Sequence, residues 1–383
     1  MRKKIKVLHI THTDIKTDSR ILKELKSLDE TGQYSVTGFG VKADSKKTSN
    51  DALEVYLTNI SLISRKLSWL PDIFRHLITM IEVTLRFVFI GARRKPDVVH
   101  CHDTLCLPSA FLIKIICGCK LVYDAHELES DKNSQSFLMG KGTLWLEKLC
   151  WAKIDLLVTV SDSIIEWYNQ ALGRKNSVLV LNSPQLEDEP DDAKQADISS
   201  QYFRNLYDIA EEKTIFVYVG MLTKGRGLKL CLEVFSSPNI DAHLVVLGYG
   251  DLTDTVKSYA IDHQNIHYHS PVVHSKVVSI ISSADVGLCL IEDVSLSDHF
   301  CLPNKLFEYA FAGIQILGSR LPEIDVVLKQ YSLGKCSDLD FSSIQEAVQD
   351  FSNKKGSSKV PTDLSPLTWQ HQADNLILGY SRL

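Results

Sequence analysis

Apolar residues along this chain fall into two textures that take turns. Short runs rich in Val, Ile and Leu alternate with longer stretches where apolar positions recur every three or four residues. The short runs predict strands buried on both faces, and the three–four spacing predicts amphipathic helices. Lys4–Thr11 is then a strand and Ser19–Thr31 a helix capped by Asp18. Further strands follow at Tyr34–Val41, Asp97–His102, Lys120–Tyr123, Leu156–Val160 and Ser177–Leu181, with an apolar helix at Pro108–Ile116 and a helix start at Ser161. The rhythm breaks at Gln185, where an acidic run poor in large apolar groups begins. It restarts with strands at Thr214–Val219, Leu244–Leu247, Ile266–His269, Val286–Leu290 and Ile314–Leu317. Helices are expected at Leu228–Phe235, Ser275–Ser283, Pro303–Phe311 and, last, Leu367–Tyr380. Strands alternating with helices predict an α/β protein with two Rossmann-like doubly wound parallel-sheet domains. The expected boundaries are a first domain at 1–185, an acidic linker at 186–213, a second domain at 214–365 and a closing helix at 366–383.

Length and composition agree with two soluble domains. The chain has 383 residues, 44% of them hydrophobic and 23% charged, with a net charge of −5. A chain this long exceeds one ordinary core, and its acidity argues against a nucleic-acid partner. The nine cysteines are odd in number and scattered, and no Cys-x-x-Cys pair has a second half, so reduced thiols and a cytoplasmic location are expected. The basic lead-in Met1-Arg-Lys-Lys has no apolar signal region behind it, and the apolar stretch Ile78–Ile90 is interrupted by Glu82 and Arg86. Neither a signal peptide nor a bilayer span is expected.

The chemistry concentrates in residues 302–313, Leu-Pro-Asn-Lys-Leu-Phe-Glu-Tyr-Ala-Phe-Ala-Gly. Pro303 can open a helix and Gly313 close it, placing Lys305 and Glu308 on one face. A cation at a helix start suits a diphosphate, and a carboxylate suits two ribose hydroxyls; a plain surface ion pair is the simpler alternative. Gly220 ends a strand and is followed by Lys224-Gly-Arg226-Gly, where backbone can approach phosphate. Gly248-Tyr-Gly250 follows another strand but lacks the third glycine of a dinucleotide fingerprint, which counts against a nicotinamide or flavin enzyme. In the first half His126 directly follows an apolar strand, where α/β sites form. His100 and His102 are expected on opposite faces of their strand, with His102 and Asp103 toward the site and His100 in the core. Asp338 and Asp340 spell Asp-x-Asp in a loop, which reads as helix capping rather than a metal site. No His/Cys cluster has zinc spacing.

These segments, in this order, resemble the GT-B glycosyltransferases, most nearly the retaining family-4 type. The matching series is Asp97-Val-Val-His-Cys-His-Asp103, Tyr123-Asp-Ala-His126-Glu-Leu, Val160-Ser161, Asn182-Ser-Pro184, Val219-Gly220, Lys224-Gly-Arg226-Gly, Ala284-Asp285-Val-Gly and the 302–313 segment. The resemblance implies two domains facing across a cleft, with acceptor bound by the first and nucleotide-sugar donor by the second. It implies catalytic roles for His126, Arg226 and Lys305. Donor contacts fall to Gly220, Lys224, Arg226, Gly248, Lys305, Leu306 and Glu308, and the acceptor side to His12, Arg20, His102 and Asp103. It further implies a UDP- or GDP-sugar donor, a glycan or lipid-linked acceptor hydroxyl, retention at the anomeric carbon, and metal-independent catalysis without a cofactor.

The chain departs from that pattern at three places. Phe300 stands where the family carries the first of two glutamates, leaving Asp298 or His299 as substitutes. Met221 replaces a basic residue after the strand-end glycine, and Thr11-His12-Thr13-Asp14 replaces a glycine-rich loop. Residues 64–95 carry Leu67, Leu70, Ile73, Leu77, Ile81 and Leu85 at helical steps, flanked by Arg65, Lys66, Arg75, Arg86, Arg93, Arg94 and Lys95. This is a helix packed on its sheet, or an interfacial helix on the inner face of the plasma membrane. A nucleotide-sugar epimerase of the same architecture and a non-catalytic nucleotide-sugar-binding subunit are the alternative readings.

Overall fold

The computed structural model describes residues 3–42, 57–67, 69–133, 135–185, 200–354 and 363–383. The chain divides into two compact units, Met1–Leu181 with Gln370–Leu383, and Asn182–Trp369. In the first unit the elements run β1 (Ile5–Ile10), α1 (Ser19–Glu30), β2 (Tyr34–Val41), β3 (Leu57–Ile60), α2 (Asp72–Arg94), β4 (Val98–His102), α3 (Asp103–Cys117), β5 (Lys120–Ala125), α4 (Phe137–Trp151), β6 (Leu156–Thr159), α5 (Asp162–Leu172) and β7 (Ser177–Leu179). They build a seven-stranded sheet in the order β3-β2-β1-β4-β5-β6-β7, with every pairing parallel. Parallel strands covered on both faces must be apolar throughout, as in β5, where Leu121, Val122 and Tyr123 are wholly buried. Helix starts follow local chemistry: Asp18 accepts from the Ile21 N–H at 3.3 Å, and Ser161 from the Ile164 N–H at 3.4 Å.

The second unit runs α6 (Tyr202–Tyr207), β8 (Thr214–Met221), α7 (Leu228–Phe235), β9 (Ala242–Tyr249), α8 (Thr253–Asp262), β10 (Ile266–His269), α9 (Val277–Ile281), β11 (Val286–Cys289), α10 (Leu296–His299), α11 (Asn304–Phe311), β12 (Gln315–Ser319), α12 (Pro322–Gln330), β13 (Gly334–Ser337) and α13 (Phe341–Asn353). Its six parallel strands lie in the order β10-β9-β8-β11-β12-β13. The last helix, α14 (Trp369–Tyr380), belongs to the first unit from Gln370 onward. There Gln372 accepts from the Leu181 N–H at 3.1 Å, and the Tyr380 hydroxyl lies 2.7 Å from His100 Nδ1.

Two expectations are corrected, and an edge strand goes unread. The helix expected at Pro108 begins at Asp103, so Pro108 lies inside it, past the first turn, and removes the N–H that would pair with the Thr104 carbonyl. Part of the segment expected as linker is structured: α6 holds Arg204, whose guanidinium meets Asp285 at 3.0 Å, while 186–199 lies outside the described residues. Strand β13 was invisible in the pattern because Lys335, Cys336 and Ser337 pair at a sheet edge without an apolar run.

Candidate functional site

Each sheet reverses its direction of winding once. In the first unit β1 and β4 are neighbours while the chain proceeds outward to β2 on one side and β5 on the other; β8 and β11 play that part in the second. Loops leaving the carboxyl ends of such a pair diverge and open a crevice.

In the first unit, residues just beyond β1, β4 and β5 are His12, Asp103 and His126. Asp103 adopts a left-handed backbone with φ 61°, a conformation that costs a side-chain residue about 1–3 kcal/mol. Its carboxylate lies 3.5 Å from His12 Nδ1 and 3.6 Å from His126 Nδ1. Beneath them sits Asp124, fully buried on β5. It accepts from Arg20 Nε at 3.3 Å and Nη2 at 3.0 Å, from His102 Nδ1 at 3.1 Å and from His126 Nε2 at 2.9 Å. Burial opposes ionisation of Asp124, but Arg20 and His126 outweigh it and hold the carboxyl well below its usual range. Burial likewise depresses His126, yet Asp103 and Asp124 overcome this and lift its imidazole to about 10. His126 is therefore an imidazolium at neutral pH, a hydrogen-bond donor and not a base.

His100 and His102 project from the same face of β4, their rings stacked with centroids 4.5 Å apart. A step of two residues along a strand returns the side chain to one face, which corrects the expectation of opposite faces. His102 and Arg20 are both buried, so they act through Asp124 rather than at the crevice surface. His9 Nδ1 lies 3.0 Å from His102 Nε2, and burial lowers the basicity of His9, His100 and His102, keeping all three neutral.

Ligand-type atoms of His9, Glu24, His100 and His102 lie within 4.8 Å of one another, as do those of His102, Asp124 and His126. Imidazole and carboxylate are donors suited to zinc or iron. A cation of the chain already lies beside the first group, however, and His126 is one within the second. Arg20 Nε is 3.1 Å from Glu24 Oε1, and burial together with Asp124 raises the Glu24 carboxyl well above its usual range. The Arg20 guanidinium thus already supplies a positive charge beside Glu24, while Glu24 Oε1 and Oε2, His9 Nε2 and His100 Nε2 lack hydrogen-bond partners among the described residues. Asp340 caps α13 by accepting from the Ser343 N–H at 2.9 Å, and Asp338 pairs with Arg320 at 2.8 Å.

In the second unit the crevice is framed by glycine. Gly220 (φ 126°) is the last residue but one of β8, and Gly248 (φ 155°) lies so close beside it that a Cβ there would fall 1.9 Å from the Gly220 carbonyl oxygen. The turn into α7 holds exposed Lys224 and half-buried Arg226, whose Nη1 lies 3.6 Å from Asp298 Oδ1. Pro303 precedes α11, and no side chain caps that helix, which leaves its first N–H groups for another acceptor. Lys305, only 9% exposed, stands in the first turn with Nζ 3.8 Å above the Tyr218 ring, and Nζ has no hydrogen-bond partner among the described residues. Glu308, also buried, has Oε1 3.8 Å from His274 Nδ1. Leu306 is wholly buried, so only its backbone can meet a ligand. Of the neighbours of Phe300, Asp298 accepts from Ser295 Oγ at 2.9 Å and His299 pairs with Asp293 at 2.9 Å.

What holds α11 in place is a residue that pattern reading missed. Strands β8 and β11 pair only at Val286↔Phe216 and Gly287↔Val217 and then part. The Tyr309 hydroxyl enters the gap, accepting from the Val219 N–H at 2.9 Å and lying 3.2 Å from the Val217 carbonyl. Gly287 makes room for the ring, since a Cβ there would lie 2.3 Å from it. Asp124, Glu24 and Tyr309 carry no spacing signal of their own, because their partners arrive from elsewhere in the fold.

Comparison with known proteins places these features in context. Residues 43–182 match Glycosyltransferase Family 4. No curated protein matches the chain. Among solved structures, sucrose-phosphate synthase from Thermosynechococcus elongatus is similar over 99% of each chain, at 14% identity and a TM-score of 0.77. The Anabaena protein HepE in complex with UDP-glucose is similar over 99% of this chain and 98% of its own, at 10% identity and a TM-score of 0.68. A putative UDP-N-acetylglucosamine 2-epimerase from Listeria monocytogenes is similar over 99% and 96%, at 13% identity and a TM-score of 0.60. The fold of this chain, two Rossmann-like parallel-sheet units, is that of the GT-B glycosyltransferases.

Proposed function

We propose that the protein is a glycosyltransferase that moves a sugar from a nucleoside diphosphate sugar to an acceptor hydroxyl, with retention at the anomeric carbon. The observation that carries this reading is Lys305, a buried ammonium without a hydrogen-bond partner among the described residues, at the start of an uncapped helix that also carries a buried carboxylate. Such a cation calls for an anion, and a diphosphate supplies one while Glu308 receives the ribose hydroxyls. Lys224 and Arg226 add charge in the neighbouring turn, and Gly220 and Gly248 allow backbone approach.

In the transfer, the bond between the anomeric carbon and the diphosphate oxygen breaks, and negative charge grows on the leaving group. Arg226, Lys305 and the α11 N–H groups are placed to stabilise it. The acceptor oxygen bonds to the same face of the anomeric carbon, and its proton passes to the departing phosphate oxygen. No step needs a metal or a cofactor. His126, as an imidazolium, donates to a sugar hydroxyl rather than removing a proton. The acceptor is a glycan or a lipid-linked glycan, and UDP- and GDP-sugars are the donor candidates; the UDP-glucose held by HepE favours UDP. Family-4 similarity in the first unit supports transfer over the epimerase reading, whose fold is the same.

The test is thermal shift against UDP, GDP and their sugars, paired with Glu308→Ala. A bound nucleotide raises the melting temperature by mass action. Unchanged nucleotide affinity in the variant removes this reading. Donor isomerised without any acceptor would replace transfer by epimerisation.

A further inference from the structure

Helix α2 is apolar on two opposite sides. Its inner side, Val83, Phe87 and Gly91, is buried, with Gly91 set close against Leu8 of β1 and Ile113 of α3. Its outer side carries Phe74, Ile78, Ile81, Leu85 and Phe89 at steps of four, three, four and four residues, all exposed. Packing on the sheet explains the first row and leaves the second without a purpose. The next two helices repeat the feature. Leu112, Ile115 and Ile116 are exposed on α3, and Phe137, Leu138, Met139, Trp145 and Leu149 on α4, where Leu138 is 80% exposed. Helix α3 packs against both α2 and α4. Strands β3 through β6 are linked by these three helices in one direction of travel, and right-handed crossovers put all three on one face of the sheet. The outer rows therefore lie side by side as one broad apolar surface, far larger than the isolated exposed residues of ordinary soluble domains.

The charge around this surface is one-sided. Arg93 and Lys95 on and after α2, and Lys141 and Lys148 on α4, are cationic, while the chain as a whole carries −5. The Arg93 guanidinium lies 3.8 Å over the Phe89 ring, and the Lys141 ammonium 4.2 Å over Phe137, holding cations at the rim of the apolar rows. Glu82 on α2 is engaged with the Ile63 and Ser64 N–H groups and with Arg86, so it does not offset them. Among the described residues no helix is long and apolar enough to cross a membrane.

We infer that the joined outer faces of α2, α3 and α4 dock the first unit on an anionic lipid bilayer, with the apolar rows in the headgroup–acyl boundary and the cations on anionic headgroups. The apolar rows supply insertion and the cationic rim selects anionic lipid. This rests on the surface alone and stands whether or not the transfer reading holds. It also widens the candidate surface beyond residues 64–95, onto two further helices.

The experiment is co-sedimentation of the full chain with vesicles of phosphatidylglycerol and phosphatidylcholine in equal parts, and with phosphatidylcholine alone. The expected result is binding to the anionic vesicles that weakens with salt. Arg93→Gln, Lys95→Gln and Lys141→Gln together should weaken it about 100-fold, at roughly fivefold per charge. Ile81→Ser, Leu85→Ser and Phe89→Ser together should abolish pelleting while leaving the melting temperature unchanged, because these side chains are exposed in the free protein. Equal binding to both vesicle types, or binding that neither triple variant alters, overturns the inference. So does a chain that stays in the supernatant but sediments as a dimer that the serine variant dissociates, which would assign this face to a second copy.

Discussion

Lys305→Met should move stability and ligand affinity in opposite directions. The lysine ammonium is buried above Tyr218 with no hydrogen-bond partner. Leaving a buried polar group unsatisfied costs about 1–3 kcal/mol, and more for a charge. The cation–π contact returns about 0.5–2 kcal/mol of that. Methionine keeps the length and apolar stem of lysine and removes the charge, so the ligand-free protein should gain on the order of 1 kcal/mol. For a domain of this size that raises the melting temperature by about 2–4 °C. On the proposed donor reading the same change removes a charge-assisted bond to the diphosphate, worth about 1.5–3 kcal/mol, and should weaken UDP binding roughly 10- to 100-fold. Scanning fluorimetry without ligand and calorimetric titration with UDP and GDP read the two effects separately. A variant that melts lower than the wild type and binds nucleotide as tightly would refute the reasoning. Lys305 would then be a packing residue satisfied by its aromatic contact.

The imidazole of His126 is raised to about 10 by Asp103 and Asp124 against the opposing effect of burial. A group raised on folding stabilises fully below its unfolded value near 6.5 and loses that contribution as pH climbs through about 10. Urea midpoints should therefore fall more steeply between pH 7 and 10 in the wild type than in His126→Gln. Tyr309→Phe leaves the buried Val219 N–H without its acceptor and should cost about 1–3 kcal/mol in urea unfolding, with weaker nucleotide binding if α11 shifts. Asp124→Asn strips the buried Arg20 guanidinium of its counter-charge and should cost about 3–5 kcal/mol by the same measurement, well above an exposed carboxylate such as Asp338.

The alternating texture of the chain was enough to read both parallel sheets except their edge strands β3 and β13, because strands buried on two faces leave continuous apolar runs such as Leu121–Tyr123. It also placed Lys305 and Glu308 on one helix, since Pro303 marks its start and both residues fall in its first turns. The network under His126 was not legible. Arg20 and Asp124 are 104 positions apart, and nothing in either neighbourhood names the other. Tyr309 was missed for a similar reason: it reads as one more apolar position on α11, and its role depends on β8 and β11 parting where they do. The exposed rows on α3 and α4 were hidden because periodicity reports that a helix has an apolar side, not that it has two.

The closing helix has a consequence for how the chain is made. Tyr380 reaches His100 across 280 positions, and Gln372 meets Leu181. The whole of Asn182–Trp369 is synthesised between the first unit's early strands and the helix that finishes it. At about 5–20 residues per second, on the order of 10–40 s pass during which the first unit stands outside the ribosome with one side uncovered. The unit that emerges first is thus completed last, and a chain cut short by its final helix would lose its opening unit's cover rather than a mere tail.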